Sequence, residues 1–232
     1  MTGRAEPVGP GAARITVRAA LAGVGARLVV DLGQAHRCLS SAVLGGGLGW
    51  MRTWLDLEVA LPYTRTDPDA HLMDESGDLA GPVVGMLTAA PVAGFRRAEV
   101  GGALAVATVG VGHGLAAAGS RPRQAPAAGT INLLVVVDQP LTDAGLVGAL
   151  QTAVEAKAQA LAAAKVPAAN DAGYATGTAT DAVCIACPVG GRVPFAGPVT
   201  RVGADLARAV LEVVRSGAEL ARTPAASRAS FR

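Results

Sequence analysis

Between Gly129 and Cys187 the chain has little freedom of fold. Leu133 to Val137 is a short run of valine and leucine, bounded by Asn132 and by Asp138-Gln139-Pro140, and reads as a buried strand. Thr142 then caps a helix on which Val147, Leu150, Val154, Ala158 and Leu161 recur at steps of three and four, giving one core-facing stripe; Pro167 closes it. Glu155 and Lys157 stand two residues apart on this helix, roughly 200° around its axis, so they flank the stripe on opposite sides and do not form an i,i+4 ion pair. A second apolar run, Ala182 to Cys187, follows. Strand, helix and strand in that order, with more strands and helices on either side, predict an α/β fold: a single domain with a mixed β-sheet flanked by helices.

The joint before the second strand is Ala175-Thr176-Gly177-Thr178-Ala179-Thr180-Asp181. If extended, it puts three threonine hydroxyls on one face and Asp181 on the other, and the pattern slightly favours this threonine-rich strand. Alternatively the small residues let the backbone turn and direct its N–H groups at an oxygen-rich ligand. Asp181 begins an apolar strand, where an unpartnered carboxylate is costly, so it is expected to be hydrogen-bonded beside a cleft.

These segments carry a resemblance. Gly129-Thr130-Ile131-Asn132 before an apolar strand ending in Asp138, Glu155-Ala156-Lys157 in the helix, and Ala175 to Ala182 are similar, in order and spacing, to the adenosylcobinamide amidohydrolase family of corrinoid salvage. Leu39-Ser40-Ser41-Ala42 followed by Gly45-Gly46-Gly47, and Leu87-Thr88-Ala89-Ala90, extend the likeness over about residues 28 to 215. The chain departs from the family pattern at Gly45, where asparagine is common, at Gly112-His113, where a Ser-Asn pair is usual, near Asp56, where asparagine is usual, and at Ala179, which replaces a glycine.

The resemblance implies hydrolysis of the amide that joins the aminopropanol arm to the corrin ring of adenosylcobinamide, giving adenosylcobyric acid, with the corrinoid as substrate and no separate cofactor. Such chemistry needs a nucleophile, a base and donors for the oxyanion. No Ser-His-Asp or Cys-His signature with a recognisable elbow is present. Glu155 and Asp181 are then the candidate bases, Lys157 a charge stabiliser and Thr178 the threonine placed with them as catalytic. The matched motifs add Ser40, Ser41, Gly45, Gly46, Gly47, Thr88, His113, Thr130, Asn132, Thr176, Gly177 and Thr180 as substrate-binding residues. The competing readings are a corrinoid- or nucleoside-binding protein without turnover and a metal-dependent hydrolase.

Composition removes other classes. A net charge of +2 with interspersed signs and an aromatic content of 3% give neither a basic stripe nor stacking platforms for nucleic acid. The most apolar window, Ala103 to Gly119, is interrupted by His113 and falls short of the roughly 20 apolar residues of a membrane span. Three cysteines argue for reduced thiols, and Cys184-x-x-Cys187 has no second paired ligand spacing, so no metal site is expected. Gly110-Val111-Gly112-His113-Gly114 has the wrong glycine spacing for a dinucleotide site. The N-terminus lacks the layout of a signal peptide, which predicts a cytoplasmic protein; a homo-oligomer is left open.

Elsewhere, residues 1–14 read as a disordered N-terminus, 15–221 as the domain and 222–232 as a flexible tail, with Ile15 to Val17 as an edge strand. Leu28 to Leu32 and Arg37 to Leu44 predict two strands joined by a turn. Asp56 to Val59 alternates like a strand with a solvated face, placing Asp56 and Glu58 at the surface. Residues 62–82 predict a polar crossover with a helical turn near His71, Val83 to Ala89 and Ala103 to Val111 predict strands, and a last helix starts at Gly203.

Overall fold

Branched apolar runs supply the strands of this protein, and alanine-rich runs supply its two long helices. The computed structural model describes residues 13–19, 25–120, 129–171 and 173–222. In chain order these form β1 (Arg14–Arg18), β2 (Arg27–Ser40), β3 (Gly47–Glu58), α1 (Pro68–Asp74), β4 (Val83–Thr88), β5 (Arg96–Val100), β6 (Ala103–Gly110), β7 (Thr130–Val137), α2 (Asp143–Ala163), β8 (Ala182–Cys187) and α3 (Arg201–Arg222). The expected disorder of residues 1–14 lies outside the described residues up to position 12, but Ala13 is buried and Arg14 opens β1. The expected tail lies outside them from 223 onward, whereas Arg222 is helical, and its guanidinium donates to the carbonyls of Ala164 and Lys165 at the end of α2.

The eight strands make one mixed sheet, seven of them in the order β4-β3-β2-β8-β7-β6-β5 and β1 paired off this path with β2. β3 with β4 and β7 with β8 run parallel, each pair joined by a crossover that carries a helix; the remaining pairs are antiparallel. One edge of β2 is shared, by β1 along Arg27 to Asp31 and by β8 along Arg37 to Ser40. The two strands expected at 28–44 are therefore one strand. Its register shifts between Asp31 and His36, where Gly33 takes φ +76° and donates its N–H to the Asp31 carboxylate. Arg52 pairs with that carboxylate at 2.9 Å and holds it below its usual range.

The kink lets the sheet curl until β4 meets β7, although three strands separate them in the sheet. The inner face closes on its own core, with Leu28, Val30, Met51, Trp54, Met86, Val106, Leu134 and Val136. α2 and α3 cover the outer face over Ile131, Leu133, Val135, Val183 and Ile185. α1 places Leu72 on a smaller outer core with Val29, Leu55 and Leu57. β7 thus faces protein on both sides, which is why its sequence reads as a continuous apolar run.

Thr142 caps α2 as expected, its hydroxyl accepting the Gly145 N–H at 3.1 Å. The buried face of the helix is not the expected one. Val147 and Val154 are exposed, and the inward residues are Gly145, Leu146, Ala149, Ala153, Ala156, Ala160 and Leu161. Small residues win this face because the chain packs close to it; a Cβ on Gly145 would lie 2.4 Å from the Val193 carbonyl oxygen. Lys157 belongs to the inward face and Glu155 to the exposed one. No helix among the described residues is long and apolar enough to cross a membrane.

Candidate active site

The heads of β7 and β8 lie side by side, Asn132 opposite Ala182, so the segments that precede them meet at one end of the sheet. Residues 175–181 do not extend the strand. They turn: the N–H groups of Ala175, Thr176 and Gly177 donate to the carbonyls of Val166 and Leu115, and the Thr178 N–H donates to the carboxylate of Asp181 itself at 3.1 Å. Asp181 Oδ1 also accepts from the Ile131 N–H at 3.0 Å and the Thr178 hydroxyl at 2.6 Å, and Oδ2 pairs with Lys157 Nζ from α2. The four lone-pair positions of the carboxylate are thereby filled. Lys157 and Asp181 are both close to fully buried, with side-chain exposures of 8% and 10%, so each charge depends on the other. The turn needs glycine at position 177: a Cβ there would fall 2.5 Å from Asp181 Oδ2 and 2.9 Å from Lys157 Nζ.

A line of hydroxyls leads outward from this pair. Thr178 Oγ1 lies 2.8 Å from the Gly129 carbonyl, Thr180 Oγ1 donates to the same carbonyl at 3.2 Å, and Thr130 Oγ1 is 2.6 Å from Thr180 Oγ1. Gly129 and Thr130 form part of the wall of a cleft of about 520 Å³. Ala89, Ala90 and Pro91 line its other side, with Val109 to Gly112 at the end of β6 and just after it, and Gly217 and Leu220 of α3. The cleft therefore connects the Leu87-Thr88-Ala89-Ala90 motif to the threonines.

The Ser-Ser and triple-glycine motifs also reach this end of the sheet. The Ser41 hydroxyl accepts the Val183 N–H at 3.0 Å and its own N–H donates to the Val183 carbonyl, while buried Ser40 turns the chain by accepting the Ala42 N–H. Leu44 then bridges to Gly85 of β4. Gly45 has φ +69°, and a Cβ there would fall 2.5 Å from the Val83 carbonyl oxygen, so in this chain the position needs glycine where the family pattern has asparagine. Gly47, at φ +88°, likewise needs the left-handed region. Buried Thr88 accepts the Ala90 N–H at 3.0 Å and shapes the cleft wall. Thr176 lies outward of the pair, accepting the Ala117 N–H at 3.0 Å. His113 is half-buried in the turn after β6, its backbone against Gly129. Glu155 points to solvent, away from the Lys157 pair.

The sequence reading missed Asp56. It is fully buried, against the expectation of a surface group, because the inward curl of β3 turns its apparently solvated face into the interior. Thr108 of β6 donates to Asp56 Oδ2 at 2.6 Å and Asn132 of β7 donates to Oδ1 at 2.7 Å. Burial pushes the carboxyl up to about 7, with a further push from Glu58 and against the pull of these two hydrogen bonds. Asp56 between Leu55 and Leu57, in a run beginning at Trp54, was the available signal.

Cys184 and Cys187 face different cores, Cys184 the inner one with Cys38 and Cys187 the outer one, so they do not converge on one ion.

Residues 15–225 match the family model described as CbiZ, adenosylcobinamide amidohydrolase. The chain belongs to that family. The adenosylcobinamide amidohydrolase of Halobacterium salinarum is 40% identical over 89 residues, which are 38% of this chain and 35% of that protein. The protein of the same name from Methanosarcina mazei is 36% identical over 104 residues, 40% of this chain and 48% of its own length. The aligned stretches thus span about a third and about half of these curated relatives. The family match takes in both strands of the β7-α2-β8 unit, the Lys157–Asp181 pair and the Ser40 to Gly47 loop.

Proposed function

We propose that this protein hydrolyses the amide between the aminopropanol arm and the corrin ring of adenosylcobinamide, or of a related corrinoid, to give adenosylcobyric acid. The observation that carries the reading is convergence: the motifs that resemble the family are far apart in the chain, yet they gather at the heads of β7 and β8 beside a cleft. The corrinoid, cobalt included, is substrate. A cytoplasmic setting belongs to the same proposal and suits three buried free thiols.

Lys157, Asp181 and Thr178 are the catalytic unit of this proposal. Asp181 draws the Thr178 hydroxyl toward itself, and Lys157 pairs with the carboxylate and orients it from behind, so the Thr178 oxygen gains electron density as a nucleophile or as the anchor of an attacking water. Thr130, at the cleft wall, and Thr180, hydrogen-bonded to it, orient the amide. The proton that Thr178 gives up passes along its hydrogen bond to Asp181 Oδ1, and Glu155, which points to solvent, takes no part.

The test is incubation of the pure protein with adenosylcobinamide and assay of released aminopropanol. Asp181→Asn keeps the shape of the side chain and removes its charge, and is expected to lower turnover by about 10² or more at unchanged corrinoid affinity. Near-normal turnover in this variant would remove Asp181 from the chemistry, and binding of the corrinoid with no product from the wild type would favour a carrier. With Cys184 and Cys187 on opposite faces, EDTA is expected to leave the rate unchanged; full loss restored by zinc would replace this mechanism with a metal-dependent one.

A further inference from the structure

The wall of the cleft is almost without charge. Leu61, Pro91, Val109, Val111 and Leu220 give it an apolar lining, and among its lining side chains only those of Thr130 and Arg96 are polar. Arg96 opens β5 and pairs with Ala107 of β6, which pairs in turn with Leu133 of β7. At a strand spacing of about 4.8 Å and a rise of about 3.4 Å per residue, the Cα atoms of Arg96 and Thr130 are on the order of 14 Å apart. The long side chain of Arg96 covers part of that gap, so a single ligand can meet both polar groups.

Arg96 has no counterion. Arg97, on the opposite face of β5, pairs with Glu99 at 3.4 Å. Arg96 Nη1 instead donates to the Phe95 carbonyl at 3.1 Å, and no carboxylate among the described residues pairs with the guanidinium. The group carries five N–H donors in a planar fork, and the residue is half-buried. A ligand that fills the apolar space displaces water from those donors, which is costly unless the ligand brings an acceptor in its place. Carboxylate and phosphate match the fork and form its strongest hydrogen bonds.

We propose that Arg96 is a binding residue for an oxyanion carried by the corrinoid, held by the guanidinium fork while the apolar walls take the hydrocarbon part of the ligand. The inference rests on the amidohydrolase reading above and names a further feature of what that site accepts. Two sources supply such a group. Cleavage of the C–N bond by water leaves a carboxylate on the corrinoid and an ammonium on the arm, and Arg96 then retains the product. A phosphate ester on the hydroxyl of the aminopropanol arm is the other source, and Arg96 then selects the phosphorylated substrate.

The experiment uses the full chain with Arg96→Gln, Arg96→Lys and, as a control on the other face of β5, Arg97→Gln. Two selectivities are read. One is the ratio of kcat/KM for adenosylcobinamide with and without a phosphate monoester on its arm. The other is the ratio of dissociation constants, by equilibrium dialysis, for adenosylcobyric acid and the same corrinoid with a primary amide in place of the carboxylate. Arg96→Gln is expected to lower at least one selectivity by about 10-fold or more, Arg96→Lys by less, and Arg97→Gln neither. Loss of the first names the phosphate, and loss of the second names the carboxylate. Both ratios within about 2-fold of wild type in Arg96→Gln, or the same loss in Arg97→Gln, overturns the inference and leaves the amidohydrolase reading standing. An Arg96→Gln that melts early with both selectivities intact overturns it too, and makes the residue structural. If Arg96→Gln does not fold, Arg96→Lys decides, because it keeps the charge and loses the fork: unchanged selectivities refute the inference, and a drop of about 3-fold or more supports it. A wild type that hydrolyses no corrinoid amide removes the amidohydrolase reading, while the dialysis ratios, which need no turnover, still decide on Arg96.

Discussion

Asp56 and Lys157 show how single side chains here take their properties from what the fold places around them. Asp56 ionises near 3.8 in an unfolded chain and at about 7 in the native one, so between these values the native state holds a proton that the unfolded state has lost. The stability tied to the neutral carboxyl, on the order of 4 kcal/mol, is complete below pH ~4, drains away as pH rises toward 7 and changes no further above it. Asp56→Asn lacks this drain. Its melting temperature relative to the wild type is expected to climb between pH 4 and 7.5 and then level off, and a pH-independent difference in paired thermal scans would contradict the assignment. Lys157→Ala leaves Asp181 as a buried charge without its cation and is expected to cost about 3–5 kcal/mol, whereas Glu155→Ala is expected to stay within about 0.5 kcal/mol; urea titration of both variants checks the contrast. The sequence placed these two residues on different sides of the helix correctly. It also put Asp56 and Glu58 on one side of a strand. Periodicity carries no information on whether that side faces water or a sheet folded back on itself, and Asp56 was misread for that reason.

At the scale of elements, α2 was legible in existence, cap and end, and illegible in phase. Valine is more hydrophobic than alanine, so Val147 and Val154 attracted the core assignment, but the inward face keeps leucine only at Leu146 and Leu161, its other apolar positions being glycine and alanine, with the neighbouring backbone closest at Gly145. Size decided which face went inward. Ala153→Leu is therefore expected to destabilise by about 1–3 kcal/mol through overpacking, and Val154→Ala to be near neutral, as read by chemical denaturation. The 175–181 segment was ambiguous for a related reason: small residues permit both a strand and a turn, and the choice was made by Asp181, whose carboxylate collects the donors that a turn presents. β5 went unseen because Arg96, Arg97 and Glu99 occupy three of its five positions, a composition suited to the edge it forms. Gly33 allowed two apparent strands to be one.

For the whole molecule, the mixed sheet and its β-α-β unit were readable from alternating runs and connection lengths, while the curl and the strand order depend on pairings between distant segments that no local pattern encodes. The least local of these places β8 between β2 and β7, pairing Arg37 to Ser40 with Cys184 to Cys187. A chain cut after Asp181 lacks that strand, and α3 with it, and is expected to show no cooperative melt, although it keeps seven of the eight strands; a sharp thermal transition in the fragment would refute this. On a ribosome the same geometry imposes an order of events. Two partial sheets emerge early and wait unjoined with their inner edges open, a state exposed to misassociation, until β8 leaves the exit tunnel and closes the gap. Asp181 stands at the head of that closing strand, so the Lys157–Asp181 pair forms only when the strand that joins the two partial sheets has been made.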